Sequence, residues 1–347
     1  MPIRPIYGNW NSVDFLDKID KYILCTMEEP WEIIKPKLSK FPIKTIFNKY
    51  MDINHLRLTY NNSEAIIEDS IAIVGIGGGT ACDTAKYLTW KSKKQGHTDI
   101  DLILIPSIIS VDAFLCSSIA VRDNNKVNYI GDSYPEKILI DYELIKSAPK
   151  FLNRAGVSDT ISITSALGDW LISRKQTNER FDKTVFNEAK KIAIDLMDAR
   201  NKIRDVSEEG IKALIEGFFR EVDLCEKWGN ARPEEGSEHF LAYCIESITH
   251  DHYIHGQLIG MNILISLYLQ DKMAEFSIDE IRQFFSDIKL DISPQSNKIP
   301  LEVLREALNS VEKYVKNENL MYSIYNSPNL KLDDKKIDEI IQFIKTI

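Results

Sequence analysis

The stretch Ile71-Ala72-Ile73-Val74-Gly75-Ile76-Gly77-Gly78-Gly79-Thr80-Ala81-Cys82-Asp83-Thr84-Ala85-Lys86 decides how this chain is read. Its opening apolar run shows no polar alternation, the pattern of a strand buried on both faces of a parallel sheet. The three glycines then remove every Cβ where the chain turns. Backbone N–H groups and the N-terminus of the following helix can there approach a pyrophosphate closely. The stretch is not a G-x-G-x-x-G fingerprint, because Thr80 holds the last position, and it lacks the Gly-Lys-Ser/Thr ending of a P-loop. The plainer alternative is a glycine-rich strand-to-helix turn with Asp83 facing the helix dipole.

Working outward, Tyr22-Ile23-Leu24-Cys25, Thr45-Ile46-Phe47, Leu102-Ile103-Leu104-Ile105 and Ile138-Leu139-Ile140 are further short apolar runs alternating with amphipathic segments. They predict an α/β domain with a parallel sheet. Ile119-Ala120-Val121 and Val127-Asn128-Tyr129, joined by the polar Arg122-Asp123-Asn124-Asn125-Lys126, predict a hairpin inserted in that domain. After about residue 148 the hydrophobic period becomes helical. Pro300 is expected at a helix N1 position ahead of Leu301, Leu304, Leu308 and Val311, and Ile337, Ile340, Ile341, Ile344 and Ile347 form a second such face. The expected plan is therefore an α/β dinucleotide-binding domain over residues 1–147 and an all-helical domain over 148–347, a junction that would make a cleft.

Composition narrows the function. A chain of 347 residues with 44% apolar and 27% charged residues is an ordinary globular protein of about two domains. With 43 basic against 52 acidic side chains the net charge is −9, which argues against nucleic acid as a partner but not against a small phosphorylated ligand held by local donors. The five cysteines form no C-x-x-C pair, and there is no apolar run of signal-peptide or membrane-spanning length. A soluble, unprocessed cytoplasmic protein without membrane insertion is expected.

Four of the six histidines, His239, His250, His252 and His255, fall within 17 residues. Gly236-Ser237-Glu238-His239 reads as the opening of one helix, and His255-Gly256 as the opening of the next. Two imidazoles on neighbouring helices can converge on one ion, with a carboxylate as third ligand and an open position for substrate, the arrangement of catalytic rather than structural zinc. The carboxylate is expected from Ala155-Gly156-Val157-Ser158-Asp159. Asp169 lies nearly three turns further on if the helix is continuous, so Asp159 is taken as ligand and Asp169 as structural or supporting. Arg232 is weighed as a phosphate partner against an ordinary exposed arginine.

Taken together, the glycine loop with Asp83 and Lys86, Pro106-Ser107-Ile108-Ile109-Ser110-Val111-Asp112-Ala113, Gly156-Val157-Ser158-Asp159, Gly236-Ser237-Glu238-His239 and His255-Gly256 resemble the glycerol dehydrogenase and iron-containing alcohol dehydrogenase superfamily. Within it, Ala148-Pro149, Ala166-Leu167-Gly168-Asp169-Trp170 and Arg232-Pro233 look most like the glycerol-1-phosphate dehydrogenase branch. The resemblance implies a dehydroquinate synthase-like architecture, with a Rossmann-like first domain and a helical second one. It implies reversible oxidation of a secondary alcohol, with hydride passing to NAD or NADP and a divalent ion, usually zinc, with nickel or iron as alternatives. By motif, Asp159, His239 and His255 are the metal ligands. Gly77, Gly78, Gly79, Asp83, Ser107 and Ser110 serve the cofactor, and Asp112 meets the substrate hydroxyls. His252 is the candidate for passing a proton to solvent. A polyol or polyol phosphate substrate and a homo-oligomer are expected.

The chain departs from the branch's usual pattern at Ser107 for Thr, Ala113 for Gly, and Cys116-Ser117 for Ser-Pro. Asp-Ala is also the glycerol dehydrogenase pattern, so the free polyol is the alternative substrate, and a dehydroquinate synthase-like cyclase using NAD transiently is a third reading. Glu28 or Glu29, after the strand at Tyr22–Cys25, leans toward NAD by accepting from a ribose 2′-hydroxyl.

Overall fold

A computed structural model describes residues 2–123 and 126–347. It divides into two compact units, Met1–Asn153 and Arg154–Ile347. Among the described residues the first holds eight strands: β1 (Ile6–Gly8), β2 (Tyr22–Thr26), β3 (Lys44–Phe47), β4 (Ala72–Gly77), β5 (Asp101–Pro106), β6 (Ser118–Asp123), β7 (Lys126–Asp132) and β8 (Lys137–Asp141). Six of them make a parallel sheet in the order β1-β8-β5-β4-β2-β3. β2 and β4 are buried along their whole length, as their unbroken apolar sequences require. Leu24 registers with Val74, and Val74 with Ile103, in the middle of the sheet.

This strand order fixes where a ligand can be held. From β2 the chain steps outward to β3 and then returns across β2 to β4, so the succession of strands reverses between β2 and β4. At such a switch point the connections leave in opposite directions and open a crevice beyond the carboxyl ends of the strands. Those ends here are Thr26 and the first residue of the triple glycine. The buried Thr26 hydroxyl donates to the Ile76 carbonyl at 2.8 Å and fastens them together.

β6 and β7 form the expected antiparallel pair, and Asn124 and Asn125 of the connection expected between them lie outside the described residues. β1 is the strand that hydrophobic patterning misses. It has three residues on the sheet edge, with Ile6 exposed, so burial leaves no run to read.

The second unit is helical. Its centre is the helix His255–Gln270, in which every residue except His255 and Tyr268 is buried. A helix apolar all round must be enclosed by others. Val157–Ile161, Ile163–Thr177 and Ser237–Thr249 lie against it. Leu301–Asn317 and Asp334–Ile344 bury the faces expected of them, although Pro300 is the N-cap with extended backbone rather than the first helical residue, and Ile347 follows the last helix. Among the described residues, no helix is long and apolar enough to cross a membrane.

Candidate functional site

In the first unit the glycine loop closes β4 and opens the helix Gly79–Lys94, with Gly78 as N-cap and no side chain capping the helix. The glycines are required by contact: a Cβ on Gly77 would stand 2.6 Å from Ala81 Cβ, and one on Gly78 would stand 2.9 Å from Ile108 Cδ1. The turn is thus pressed onto its own helix and onto the segment after β5. The opening N–H groups of the helix have no intrahelical acceptor and point outward, which suits the pyrophosphate of a dinucleotide.

Ser107 follows β5, is buried, and donates its N–H to the Gly77 carbonyl at 3.0 Å. Ser110 and Asp112 are half-buried on the same connection, where the Cys116 thiol donates to Asp112 Oδ2 at 2.9 Å. Asp83 is placed differently from expectation. It is buried one turn into the helix and paired with the fully buried Lys86 at 2.5 Å, so its carboxylate is engaged inside the unit. Burial raises the Asp83 pKa, against the Lys86 charge and hydrogen bond that lower it. Lys86, which the sequence reading gave no role, donates to the carbonyls of Ala113 (2.9 Å), Cys116 (3.2 Å) and Ser118 (2.7 Å). It clamps the loop that carries Asp112.

The second unit brings Asp159, His239 and His255 together, with one donor atom from each within 4.8 Å of the others. Asp159 sits on Val157–Ile161, His239 in the first turn of Ser237–Thr249, and His255 at the start of the central helix. Gly256 allows this approach: a Cβ there would fall 1.8 Å from the Ala155 carbonyl oxygen. Asp159 Oδ1 is buried, lacks a hydrogen-bond donor, and lies 3.3 Å from His255 Nε2. Zinc bonds of 2.0–2.2 Å at tetrahedral angles put neighbouring ligand atoms about 3.3–3.6 Å apart. An unsatisfied buried carboxylate oxygen at that spacing from an imidazole nitrogen fits a divalent cation.

Acidic groups surround His239. Its Nδ1 is 2.9 Å from Glu238 Oε1, and its Nε2 is 3.9 Å from Glu234 Oε1. Burial opposes a charge on this ring, but the hydrogen bond to Glu238 and the charges of Glu234, Glu238 and Glu235 prevail and raise its pKa to about 10. The pocket therefore attracts positive charge. Glu234 was not singled out from the sequence, because its place beside His239 depends on a tertiary turn; Ser162 Oγ donates to its side chain at 3.1 Å.

Other expected residues lie elsewhere. Asp169 is outside the cluster and fully buried, accepting from Ser237 N and Ile324 N at 2.7 Å each. It thereby anchors the start of the helix bearing His239. Arg232 is neither exposed nor open to a phosphate: it is completely buried, with Nε 3.1 Å from Glu179 and Nη2 donating to the Tyr322 carbonyl. His252 is exposed on the connection between the two histidine-bearing helices. Glu28 opens a helix and forms an exposed pair with Lys49 at 3.3 Å, so a cation accompanies the carboxylate there.

Residues 29–149 match the iron-containing alcohol dehydrogenase family. The chain is 28% identical over 294 residues to a glycerol-1-phosphate dehydrogenase [NAD(P)+] of Methanococcus aeolicus, covering 81% of this chain and 80% of that one. It is 25% identical over 315 residues to the enzyme of the same name from Sulfurisphaera tokodaii, covering 85% of each. In fold it is similar to a probable glycerol dehydrogenase from Sinorhizobium meliloti, with a TM-score of 0.72 at 16% identity over 100% of this chain and 98% of that one. The resemblance read from the motifs is borne out.

Proposed function

Because the chain resembles the iron-containing alcohol dehydrogenase superfamily, and glycerol-1-phosphate dehydrogenase within it, we propose that it is a metal-dependent NAD(P)-linked dehydrogenase interconverting glycerol-1-phosphate and dihydroxyacetone phosphate. The reaction balances as secondary alcohol plus NAD(P)+ giving ketone, NAD(P)H and a proton. The single observation that carries the metal requirement is the orphaned Asp159 Oδ1 facing His255.

In this reading Asp159, His239 and His255 hold the divalent ion, zinc by the donor set, with nickel and iron as alternatives. When bound, the ion supplies Lewis acidity toward the substrate oxygen and the dinucleotide accepts the hydride. Gly77, Gly78 and Gly79 present amides to the pyrophosphate, and Ser107 and Ser110 line the cofactor. Asp112 accepts from a substrate hydroxyl, held in place through its loop by Lys86. His252 carries the released proton to solvent, for which its exposure suits it. Asp83 acts on the cofactor side only through the Lys86 clamp.

The free polyol is the second reading, favoured by Ala113 after Asp112. A reduction panel on zinc-loaded protein separates the two, pairing dihydroxyacetone phosphate and dihydroxyacetone at equal concentration with NADH and with NADPH. Preference for the phosphorylated ketone is expected, because a site built for phosphate loses charge-assisted bonds with the free polyol. Turnover of neither ketone overturns the proposal.

A further inference from the structure

We propose that Glu238 is the positioning residue of the ion site, fixing His239 in the tautomer that leaves Nε2 free for the ion. The inference rests on the metal reading above. A carboxylate only accepts hydrogen bonds, so the 2.9 Å contact between Glu238 Oε1 and His239 Nδ1 is a hydrogen bond only when Nδ1 carries the hydrogen. The ring is neutral when it holds an ion, and with Nδ1 protonated its lone pair is then on Nε2. Without this acceptor the two tautomers would compete, and the wrong one would turn an N–H toward the ion.

The carboxylate that imposes this choice is itself immobilised. Glu238 is fully buried, and Oε1 also accepts the Gly236 N–H at 2.6 Å, while Oε2 accepts the Ser165 hydroxyl at 2.7 Å from the helix Ile163–Thr177. Its backbone carbonyl accepts Asn262 Nδ2 at 3.0 Å, from the helix that also carries His255. Three elements thus converge on one residue next to a ligand. Among the described residues, His239 is its only ion-pair partner. A buried carboxylate whose sole cationic neighbour is an imidazole is well compensated when an ion on the far nitrogen polarises the ring N–H.

A plain helix-start carboxylate would also bond Gly236 N–H, so the test must read the ion and the ring. Zinc affinity is measured by chelator competition on wild type, E238Q and E238D, each first checked for a native melting transition without metal. Long-range 1H–15N histidine spectra of the zinc-loaded proteins report which ring nitrogen carries the hydrogen. Wild type is expected to bind one ion with His239 protonated at Nδ1. E238Q should bind 10- to 100-fold more weakly, since its amide also offers N–H groups to Nδ1 and admits the wrong tautomer. E238D, one methylene shorter, should lose affinity while keeping the charge. Folded variants with wild-type affinity and an unchanged His239 tautomer overturn the proposal and leave the metal reading intact. Failure of wild type to bind zinc overturns the metal reading itself. If E238Q does not fold, E238D decides.

Discussion

Asp159 Oδ1 and His255 Nε2 lie 3.3 Å apart, and the oxygen has no hydrogen-bond donor although it is buried. When the imidazole lone pair faces that oxygen, the arrangement costs the fold free energy until a cation lies between the two atoms. The variant Asp159→Asn should therefore behave oppositely in the two states. Without metal it should be as stable as wild type or more so, because a buried charge is gone. Zinc at 100 times the wild-type Kd should stabilise wild type by about 2.7 kcal/mol and the variant hardly at all. Thermal melts with and without zinc read both; equal zinc-induced shifts would contradict the assignment.

Gly256 predicts a local and severe effect. Gly256→Ala puts a methyl group into the Ala155 carbonyl, so the central helix must move by more than a side chain can absorb. A loss of roughly 1–3 kcal/mol in urea unfolding is expected. Zinc affinity should fall more than tenfold because His255 is displaced along with Gly256. Unchanged zinc affinity would show that the close contact does not set the ligand geometry.

Asp169 supplies the pH dependence. Burial first, and then the charge of Glu238, raise its pKa from 3.8 to about 6, against hydrogen bonds from Ser237 and Ile324 that lower it. The folded chain consequently holds this proton more tightly than the unfolded chain does. The contribution of Asp169 is most favourable below 3.8 and declines as pH rises through about 6, by up to roughly 3 kcal/mol. Asp169→Asn removes the dependence. The stability of wild type relative to D169N should therefore fall between pH 4 and pH 7 in denaturant titrations, and a flat difference would refute it.

The Lys86 clamp predicts non-additivity. Lys86→Met leaves Asp83 buried and unpaired, a loss of about 3–5 kcal/mol. The double variant D83N/K86M should recover part of that loss, because no bare charge remains. A double variant losing the full sum of the two single changes would rule out the pair as the cause.

Most of the sheet was legible because burial on both faces leaves an unbroken apolar signature, as in β2, β4 and β5. β1 was not, since three edge residues bury too little to leave one. That Asp159, His239 and His255 come together was legible for a different reason: imidazoles are scarce, and two at helix starts are informative. The support around them was harder to see. Glu238 lies inside a quoted motif, but its role appears only once Ser165 and Asn262, 73 and 24 residues away, arrive beside it. Asp83 and Lys86 stand three residues apart, and that spacing could have suggested the pair. Arg232 misled because arginines are seldom fully buried, and its partners Glu179 and Tyr322 are remote in sequence.

Lys86 reaches only main-chain oxygens in the 113–118 segment, groups that any amino acid there would supply. The side chains of Ala113 and Ser118 take no part in that clamp, whereas the Cys116 thiol donates to Asp112 Oδ2. These include positions where this chain departs from the usual glycerol-1-phosphate dehydrogenase pattern. Mounting by backbone lets the residue at 113 change identity without refitting the scaffold that carries Asp112.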